Sequence, residues 1–189
     1  KNYNKKLLIK VLKSKKINYP IVVKPSNEGS SIGVKICKNN SDLIKFSDQL
    51  FRNYKKLIYE KFIDGQEIQV AVMMGKAIGA IELRPRRKFY DYKAKYLKSS
   101  KTTHIMPAEI SKKKYLEVLK LAERAHKVLK CRGVTRCDFK FEKNKFYLLE
   151  INTQPGMTNL SLVPEIAKYS GITFNSLIKK IIQDASINR

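Results

Sequence analysis

The chain has 189 residues, of which 43% are hydrophobic, enough for one ordinary core or two small lobes. Its net charge of +24 is spread over the whole length, which disfavours nucleic-acid binding as the main role. Cys37, Cys131 and Cys137 form no CxxC pair, so the sequence predicts neither a disulfide framework nor a zinc site and favours a reducing cytoplasm. No apolar run approaches the roughly 18 residues that span a bilayer, and no signal-peptide pattern is present.

Hydrophobic periodicity predicts a mixture of helices and antiparallel hairpins, without the strict βαβ alternation of a parallel sheet. This order is typical of an α+β fold. Composition shifts little along the chain, so we expect two closely associated subdomains with a boundary near 50–60. In chain order, the predicted helices cover 5–15, 41–54, 111–130, 161–169 and 174–186, and the predicted strands cover 21–23, 33–37, 57–62, 67–74, 77–83, 134–142 and 145–151.

Several helix ends and turns follow from single residues. Ser41 is expected to cap a helix, Ser111 to start one and Gly133 to end it, and a Gly75–Lys76 turn is expected to join two strands. Residues 84–109 have no clear periodicity, and a loop of that length is usually functional or disordered.

The stretch TRCDFKFEKNKFYLLEIN, residues 135–152, predicts a β-hairpin with acids near its open end. A three-residue turn at 143–145 would place Asp138 opposite Glu150 and Arg136 opposite Asn152. An even-length turn would put Asp138 and Glu150 on opposite faces. The residues predicted to pack on a core from the other face are Cys137, Phe139, Phe141, Tyr147, Leu149 and Ile151.

Two carboxylates directly opposite each other repel, and an apolar environment strengthens the repulsion. A divalent cation would remove it. Because Asp138, Glu150 and Asn152 offer only oxygen ligands, the pattern favours Mg²⁺ or Mn²⁺ over zinc. The alternative is a surface hairpin with two solvated acids.

The stretch KPSNEGSSIG, residues 24–33, follows a β-branched strand and offers backbone N–H and hydroxyl donors suited to phosphate oxygens. Lys24 lies at the strand end, where its ammonium could reach a phosphate. This is not a Walker A motif, and a plain Gly/Ser hairpin turn remains an alternative. In YEKFIDGQE, residues 59–67, Glu60 and Lys61 lie at a strand end. Taken alone, this stretch is explained by a solvated strand edge. FYDYKAKY, residues 89–96, could stack on bases or bring Lys95 over a phosphate as a lid.

Five stretches together resemble one enzyme family in order and spacing. They are KPSNEGSSIGV, YEKFIDGQE, FYDYKAKY, TRCDFKF and LLEINTQPGMTNLSLVPE, and they are similar to the motifs of D-alanine–D-alanine ligases in the ATP-grasp superfamily. The likeness covers the chain from about Tyr19 to its end.

The resemblance implies an ATP-grasp fold, in which two α+β subdomains hold the nucleotide between them. Residues 1–60 would form the central subdomain and residues 61–189 the C-terminal subdomain, without the N-terminal domain of full-length members. The implied reaction joins two D-alanines, with ATP and two Mg²⁺ or Mn²⁺ ions, through a D-alanyl phosphate for peptidoglycan synthesis in the cytoplasm. D-Alanine and ATP would be the partners, with no nucleic acid or membrane, and a homodimer is the assembly suggested for the full-length enzyme.

The resemblance also assigns roles to individual residues. Ser30 and Tyr96 would join a hydrogen-bond network in the active site, and Arg136 and the Gly156 N–H would stabilise the tetrahedral intermediate. The residues implied to bind ATP are Lys24, Glu60, Lys61, Ile63, Glu67 and Lys95; those implied to bind metal are Asp138, Glu150 and Asn152; and Ser161 and Leu162 are implied to anchor the second D-alanine.

Two departures from the family pattern bear on this expectation. Leu160 stands where many members carry a histidine, so no role of that histidine transfers. Without the N-terminal domain, we expect the chain alone to bind ATP but to be weak or inactive as a ligase. The alternatives are another ATP-grasp carboxylate–amine ligase, a D-alanine–D-lactate ligase, a basic nucleic-acid-binding domain or an inert α+β domain.

Overall fold

A computed structural model describes residues 3–29, 31–85, 102–158 and 160–186. These residues divide into two compact units, one ending at Ile63 and the other formed by Asp64–Arg84 and the chain from Thr102 onward. Each unit combines helices with an antiparallel sheet, which confirms the predicted α+β class. The elements are α1 (Lys5–Ser14), β1 (Ile21–Pro25), β2 (Lys35–Cys37), α2 (Asn40–Phe51), β3 (Leu57–Lys61), β4 (Gln66–Met73), β5 (Lys76–Arg84), β6 (Thr103–Ile105), α3 (Lys112–Val128), β7 (Val134–Glu142), β8 (Lys145–Asn152), α4 (Leu162–Tyr169) and α5 (Phe174–Asp184).

The first unit packs α1 and α2 on a three-stranded sheet in the order β2-β1-β3. The expected cap of α2 was wrong: Asn39, not Ser41, has the extended backbone and accepts a hydrogen bond from the Asp42 N–H at 2.9 Å. Asn39 thereby satisfies one of the donors that a helix leaves free at its start. The buried core of this unit consists of Leu12, Ile21, Val23, Cys37, Leu43 and Leu50.

The second unit is built on a five-stranded sheet in the order β6-β5-β4-β7-β8. Helix α3 covers one face, and α4 contacts the other face at Gly79, where an added Cβ would lie 2.9 Å from Ile166. That close approach leaves no room for a side chain at Gly79. The core under α3 consists of Ile68, Val70, Val72, Ala80, Ala108, Val118, Ala122, Cys137 and Phe139.

Helix α3 begins where the sequence predicts and ends earlier than expected. The Ser111 hydroxyl accepts a hydrogen bond from the Lys114 N–H at 3.4 Å. The helix stops at Val128, and Lys130 takes the left-handed conformation with φ of 52°. Gly133, also left-handed, lies beside the start of β7, so it does not end the helix as predicted.

Two tight turns differ from their predicted positions. The β4–β5 turn is Met74–Gly75 rather than Gly75–Lys76, and the β7–β8 turn is the two-residue Lys143–Asn144 rather than a three-residue turn. All four residues have positive φ values between 48° and 77°, as two-residue turns of the I′ type require.

A β-bulge restores the pairing that the shorter turn would have destroyed. Phe139 pairs with Leu148, but Asp138 pairs with Glu150, so Leu149 is an extra residue of β8 without a partner. The bulge reverses the face of every residue beyond it. Asp138 therefore lies opposite Glu150 as predicted, although the predicted turn was wrong.

The bulge also changes which residues of β8 reach the core. Phe146 stacks on Phe141 with ring centroids 4.4 Å apart and packs on the core under α3. Tyr147, predicted for that face, pairs instead with Lys140, and Leu149 is exposed at the bulge. These two core assignments were wrong because they assumed unbroken alternation from a longer turn.

The stretch without periodicity contains a short strand that the sequence did not reveal. Strand β6 pairs with β5, with His104 opposite Leu83. Three residues are too few to display a period of two, so pattern alone could not identify it. Residues 86–101 lie outside the described part of the chain, and so does the predicted lid at 89–96.

Buried titratable groups in both units serve packing. Burial raises the pKa of the Cys37 thiol to about 11 and that of Cys137 to about 12, so both remain protonated in the core. Cys131 is half-exposed, and all three cysteines are free. Among the described helices, none combines the length and apolarity needed to cross a bilayer.

Replacing Gly65 with alanine is expected to destabilise the second unit by about 1–3 kcal/mol. The added Cβ would overlap the carbonyl oxygen of Phe141, where β4 begins to pair with β7. Denaturant unfolding measures the change. Gly29→Ala is the matched control, because among the described residues no atom beyond its chain neighbours lies within 4 Å of its Cβ position, and equal stability of the two variants would contradict the prediction.

His126 is expected to make stability depend on pH. Its Nδ1 lies 2.9 Å from Thr135 Oγ1, and burial lowers its pKa below the ordinary 6.5. Below about pH 6.5 the unfolded chain takes up a proton that the folded chain does not, so the free energy of unfolding decreases as the pH is lowered. In His126→Gln, the fall between about pH 7.5 and about pH 5.5 should be smaller than in the wild type; identical slopes would exclude this role.

Candidate active site

Three polar residues lie in one row across the second unit's sheet. Gln69 of β4 pairs with Asp138 of β7, which pairs with Glu150 of β8. Arg136 and Asn152 form the neighbouring row, two residues away on the same face. Because α3 covers the opposite face, the sheet separates this polar group from the core.

Asp138 is buried, with 4% of its surface exposed, and its partner is Arg136. The guanidinium donates from Nε to Oδ1 at 2.7 Å and from Nη2 to Oδ2 at 2.9 Å. This two-pronged, charge-assisted contact fixes both side chains and compensates for the loss of water around the carboxylate. An ionised carboxylate has about four acceptor positions, so it retains capacity for a further ligand.

Glu150 and Asn152 offer oxygens at the end of β8. Glu150 is exposed and lies directly across from Asp138. The Asn152 side-chain oxygen accepts a hydrogen bond from the Gln154 N–H at 3.0 Å, a local turn that ends the strand.

The donor set fits a hard divalent cation. Two carboxylates and an amide supply oxygens only, which suit Mg²⁺ or Mn²⁺. No cluster of three or more His, Cys, Asp or Glu able to hold a metal occurs within residues 3–29, 31–85, 102–158 and 160–186. An ion held by these three residues alone would complete its coordination with water or phosphate oxygens, as Mg²⁺ commonly does.

The loop after β8 brings Gly156 close to Ser161. A Cβ on Gly156 would lie 2.8 Å from Ser161 Oγ, so only glycine fits there without displacement. The Ser161 hydroxyl accepts a hydrogen bond from the Thr158 N–H at 3.0 Å and does not cap α4, although Ser161 holds the N-cap position. Leu162, buried, is the first residue of that helix.

In the first unit, two of the predicted ATP-binding residues contact each other. Lys24 Nζ lies 2.8 Å from Glu60 Oε1, because β1 and β3 are neighbours in the sheet. Lys61 is exposed at the end of β3, and Ile63 is buried. No local pattern predicts the pair of Lys24 with Glu60, because β1 and β3 are separated along the chain.

Around Glu67 the structure adds Lys140, which sequence reasoning missed. Lys140 Nζ lies 3.3 Å from Glu67 Oε2 and donates to the Gly65 carbonyl at 3.2 Å. Lys140 is two residues beyond Asp138 and so lies on the same face. That alternation could have identified it once the hairpin face was known.

The described part of the Gly/Ser loop is shaped by close packing. Gly33 has φ of 73°, and a Cβ there would lie 2.8 Å from Pro25 Cγ. The Ile32 N–H donates to the Gly29 carbonyl at 2.9 Å, so this amide is occupied within the loop. Ser30, Lys95 and Tyr96 lie outside the described residues.

A cleft of about 720 Å³ lies elsewhere in the second unit, where α3 meets the β4–β5 turn and the end of α5. None of the predicted site residues that the structure describes lines it, so it is separate from the polar row. The cations along its wall are Lys76, Lys120, Arg124, Lys127, Lys130 and Arg132.

Comparisons with known proteins agree on one family. The sequence profile described as D-ala D-ala ligase C-terminus matches residues 2–183. The D-alanine–D-alanine ligase of Pelagibacter ubique is 55% identical over 98% of this chain and 60% of its own length, and that of Citrifermentans bemidjiense is 48% identical over 89% of this chain and 55% of its own length. The chain therefore spans little more than half the length of these relatives.

Solved structures show the same fold. A D-alanine–D-alanine ligase from Bacillus anthracis matches with a TM-score of 0.81 and 33% identity, covering 97% of this chain and 58% of that one. The same enzyme complexed with ATP matches with a TM-score of 0.77. VanG D-Ala:D-Ser ligase from Enterococcus faecalis matches with a TM-score of 0.83, 27% identity and coverage of 97% and 54%. The ATP-grasp fold expected from the sequence is confirmed.

Arg136→Met is expected to destabilise the fold by about 3–5 kcal/mol, because it leaves the Asp138 carboxylate buried without its cation. The double variant Arg136→Met/Asp138→Leu should recover much of that loss, since no charge remains to be solvated. Chemical denaturation of the wild type, both single variants and the double variant measures the coupling. If the losses of the single variants simply add, the two side chains do not stabilise each other.

Proposed function

Because the chain belongs to the family of D-Ala–D-Ala ligase C-terminal domains, we propose that it provides the ATP- and metal-binding part of a ligase that joins two D-alanines. The reaction would proceed through a D-alanyl phosphate in the cytoplasm and supply a peptidoglycan precursor. The chain covers 60% of the length of its Pelagibacter ubique relative, so ligation by the whole enzyme is part of the proposal.

The observation that carries the proposal is the group of oxygens around Asp138. A buried carboxylate faces a second carboxylate across a hairpin, and Arg136 holds the first one in place. Arg136 offsets one of the two negative charges, and a bound metal ion would offset the repulsion that remains. Phosphoryl transfer from ATP requires cations beside the phosphates, because negative charge spreads over several phosphate oxygens.

Asp138, Glu150 and Asn152 would hold two Mg²⁺ or Mn²⁺ ions, which when bound would neutralise charge on the ATP phosphates. The protein's own contribution is positioning. Arg136 fixes the Asp138 carboxylate in one orientation through its two hydrogen bonds. The turn at Asn152 fixes the end of β8.

ATP binding would use the residues that the family resemblance implies. Lys24 would contact the phosphates, while Glu60, Lys61, Ile63 and Glu67 would hold adenine and ribose. The ion pair between Lys24 and Glu60 keeps the lysine ammonium near the strand end before ATP arrives. Lys95 would reach the terminal phosphates, and Ser30 and Tyr96 would belong to a hydrogen-bond network at the substrate.

The substrates would meet donors from β7 and from the loop that follows β8. Arg136 and the Gly156 N–H would stabilise the oxyanion that forms when the second amine attacks the acyl carbon. The carboxylate of the second D-alanine would lie at Ser161 and Leu162, where α4 begins. A helix N-terminus offers N–H groups and a positive dipole end to an anion.

The identity of the second substrate is the finer part of the proposal. VanG, a relative in fold, is a D-Ala:D-Ser ligase, and D-lactate is the other candidate weighed from the sequence. The purified full-length enzyme given ATP, D-alanine and either D-serine or D-lactate distinguishes these by mass spectrometry of the products. Predominant formation of D-alanyl-D-alanine would support the proposal, and a depsipeptide product would overturn it.

Glu150→Gln is expected to reduce Mg²⁺-dependent ATP binding by about tenfold or more, because it removes one of the two facing carboxylates. Isothermal titration with ATP, with and without Mg²⁺, measures the loss. Glu117→Gln is the matched control, since Glu117 pairs with Lys114 on α3 away from the site. If both variants bind like the wild type, or the wild type binds no ATP, the proposed site is wrong.

A further inference from the structure

Gln69 carries a buried amide oxygen that none of the described residues satisfies. The residue is 0% exposed, and its Oε1 has no hydrogen-bond partner in the described part of the chain. Its Nε2 donates to Glu67 Oε1 at 3.4 Å. An unpaired buried acceptor destabilises a fold, so an apolar side chain of similar size would pack here at lower cost.

The position of Gln69 indicates what its oxygen would meet. Gln69 pairs with Asp138, and Asp138 pairs with Glu150, so the amide and the two carboxylates lie in one row on one face. Directly paired residues have Cβ atoms about 5 Å apart. A cation bound at this row could accept oxygens from the amide and the carboxylates together.

The orientation of the amide follows from Glu67. Because Nε2 donates to the Glu67 carboxylate, Oε1 points away from that group. Rotating the amide by half a turn would bring its oxygen against the Glu67 carboxylate, which also contacts Lys140. Glu67 therefore fixes the direction in which Gln69 offers its oxygen.

We propose that Gln69 is a further oxygen donor of the cation site, positioned by Glu67 and acting with Asp138 and Glu150. This inference rests on the proposed metal site. Divalent cations such as Mg²⁺ and Mn²⁺ accept amide carbonyl oxygens as ligands. A neutral donor completes the oxygen set without adding a third negative charge to a row that already holds two.

The test compares stability with metal affinity in Gln69→Met. Methionine keeps the length of the side chain and removes the unpaired acceptor. We expect the melting temperature without metal to stay equal or rise, while affinity for Mn²⁺ alone, measured by electron paramagnetic resonance, falls by about tenfold or more. A purely structural amide would give the opposite result, with lower stability and unchanged Mn²⁺ affinity, which would overturn the inference.

Two further variants keep the outcomes distinct. Gln66→Met is the matched control, because Gln66 lies on the same strand facing the other side and donates to the Glu109 carbonyl; it should bind Mn²⁺ like the wild type. Glu150→Gln tests the metal site itself. If Glu150→Gln loses Mn²⁺ and Gln69→Met does not, the Gln69 inference alone fails; if the wild type binds no Mn²⁺ or Glu150→Gln binds normally, the proposed metal site fails with it.

Gln69→Glu covers the case in which methionine is not tolerated. It retains an oxygen donor and adds a charge to the row, so the metal-free protein should melt at a lower temperature and gain more from Mn²⁺ than the wild type does. A smaller gain than the wild type shows would overturn the inference.

Discussion

The second unit depends on a buried carboxylate that must be neutralised where it lies. Asp138 occupies the middle of β7, between β4 and β8, and has almost no access to water. Moving an isolated charge from water into a protein interior costs on the order of several kcal/mol. The two hydrogen bonds from Arg136 offset part of this free-energy cost. The neighbouring strands β4 and β8 place Gln69 and Glu150 beside Asp138.

The hairpin reaches this arrangement through two irregularities that offset each other. The tight Lys143–Asn144 turn alone would place Glu150 on the wrong face, and the extra residue Leu149 turns it back. Bulges commonly redirect a side chain next to a functional site. Here the bulge lies immediately before the acid that it redirects, which leaves the aromatic stack of Phe141 and Phe146 undisturbed on the far side.

Much of this architecture could be predicted from the sequence because long elements show their period clearly. Strand β7 was predicted at its observed bounds, and the start of α3 was predicted within one residue. The facing of Asp138 and Glu150 was also predicted, although by way of an incorrect turn. The observed pairing agrees with the prediction only because the bulge compensates for the shorter turn. No local sequence pattern predicts that bulge.

What the sequence could not provide depends on contacts between distant segments. The ion pair of Lys24 with Glu60 requires β1 to lie beside β3, and the burial of Gln69 requires neighbours on both sides of β4. Glutamine in an alternating strand is typical of a solvent-facing position. Only the assembled sheet shows that this one is enclosed beside two carboxylates.

The hydroxyl of Ser161 is engaged by the preceding loop, and the start of α4 therefore receives no side-chain cap. Peptide N–H groups at such an end hold their partial positive charge over the whole range in which histidine and lysine gain or lose protons. The interaction of these N–H groups with a bound carboxylate would therefore not change with pH. The pH dependence of the proposed ligation would then arise from the attacking amine, because its protonated form cannot attack a carbonyl carbon.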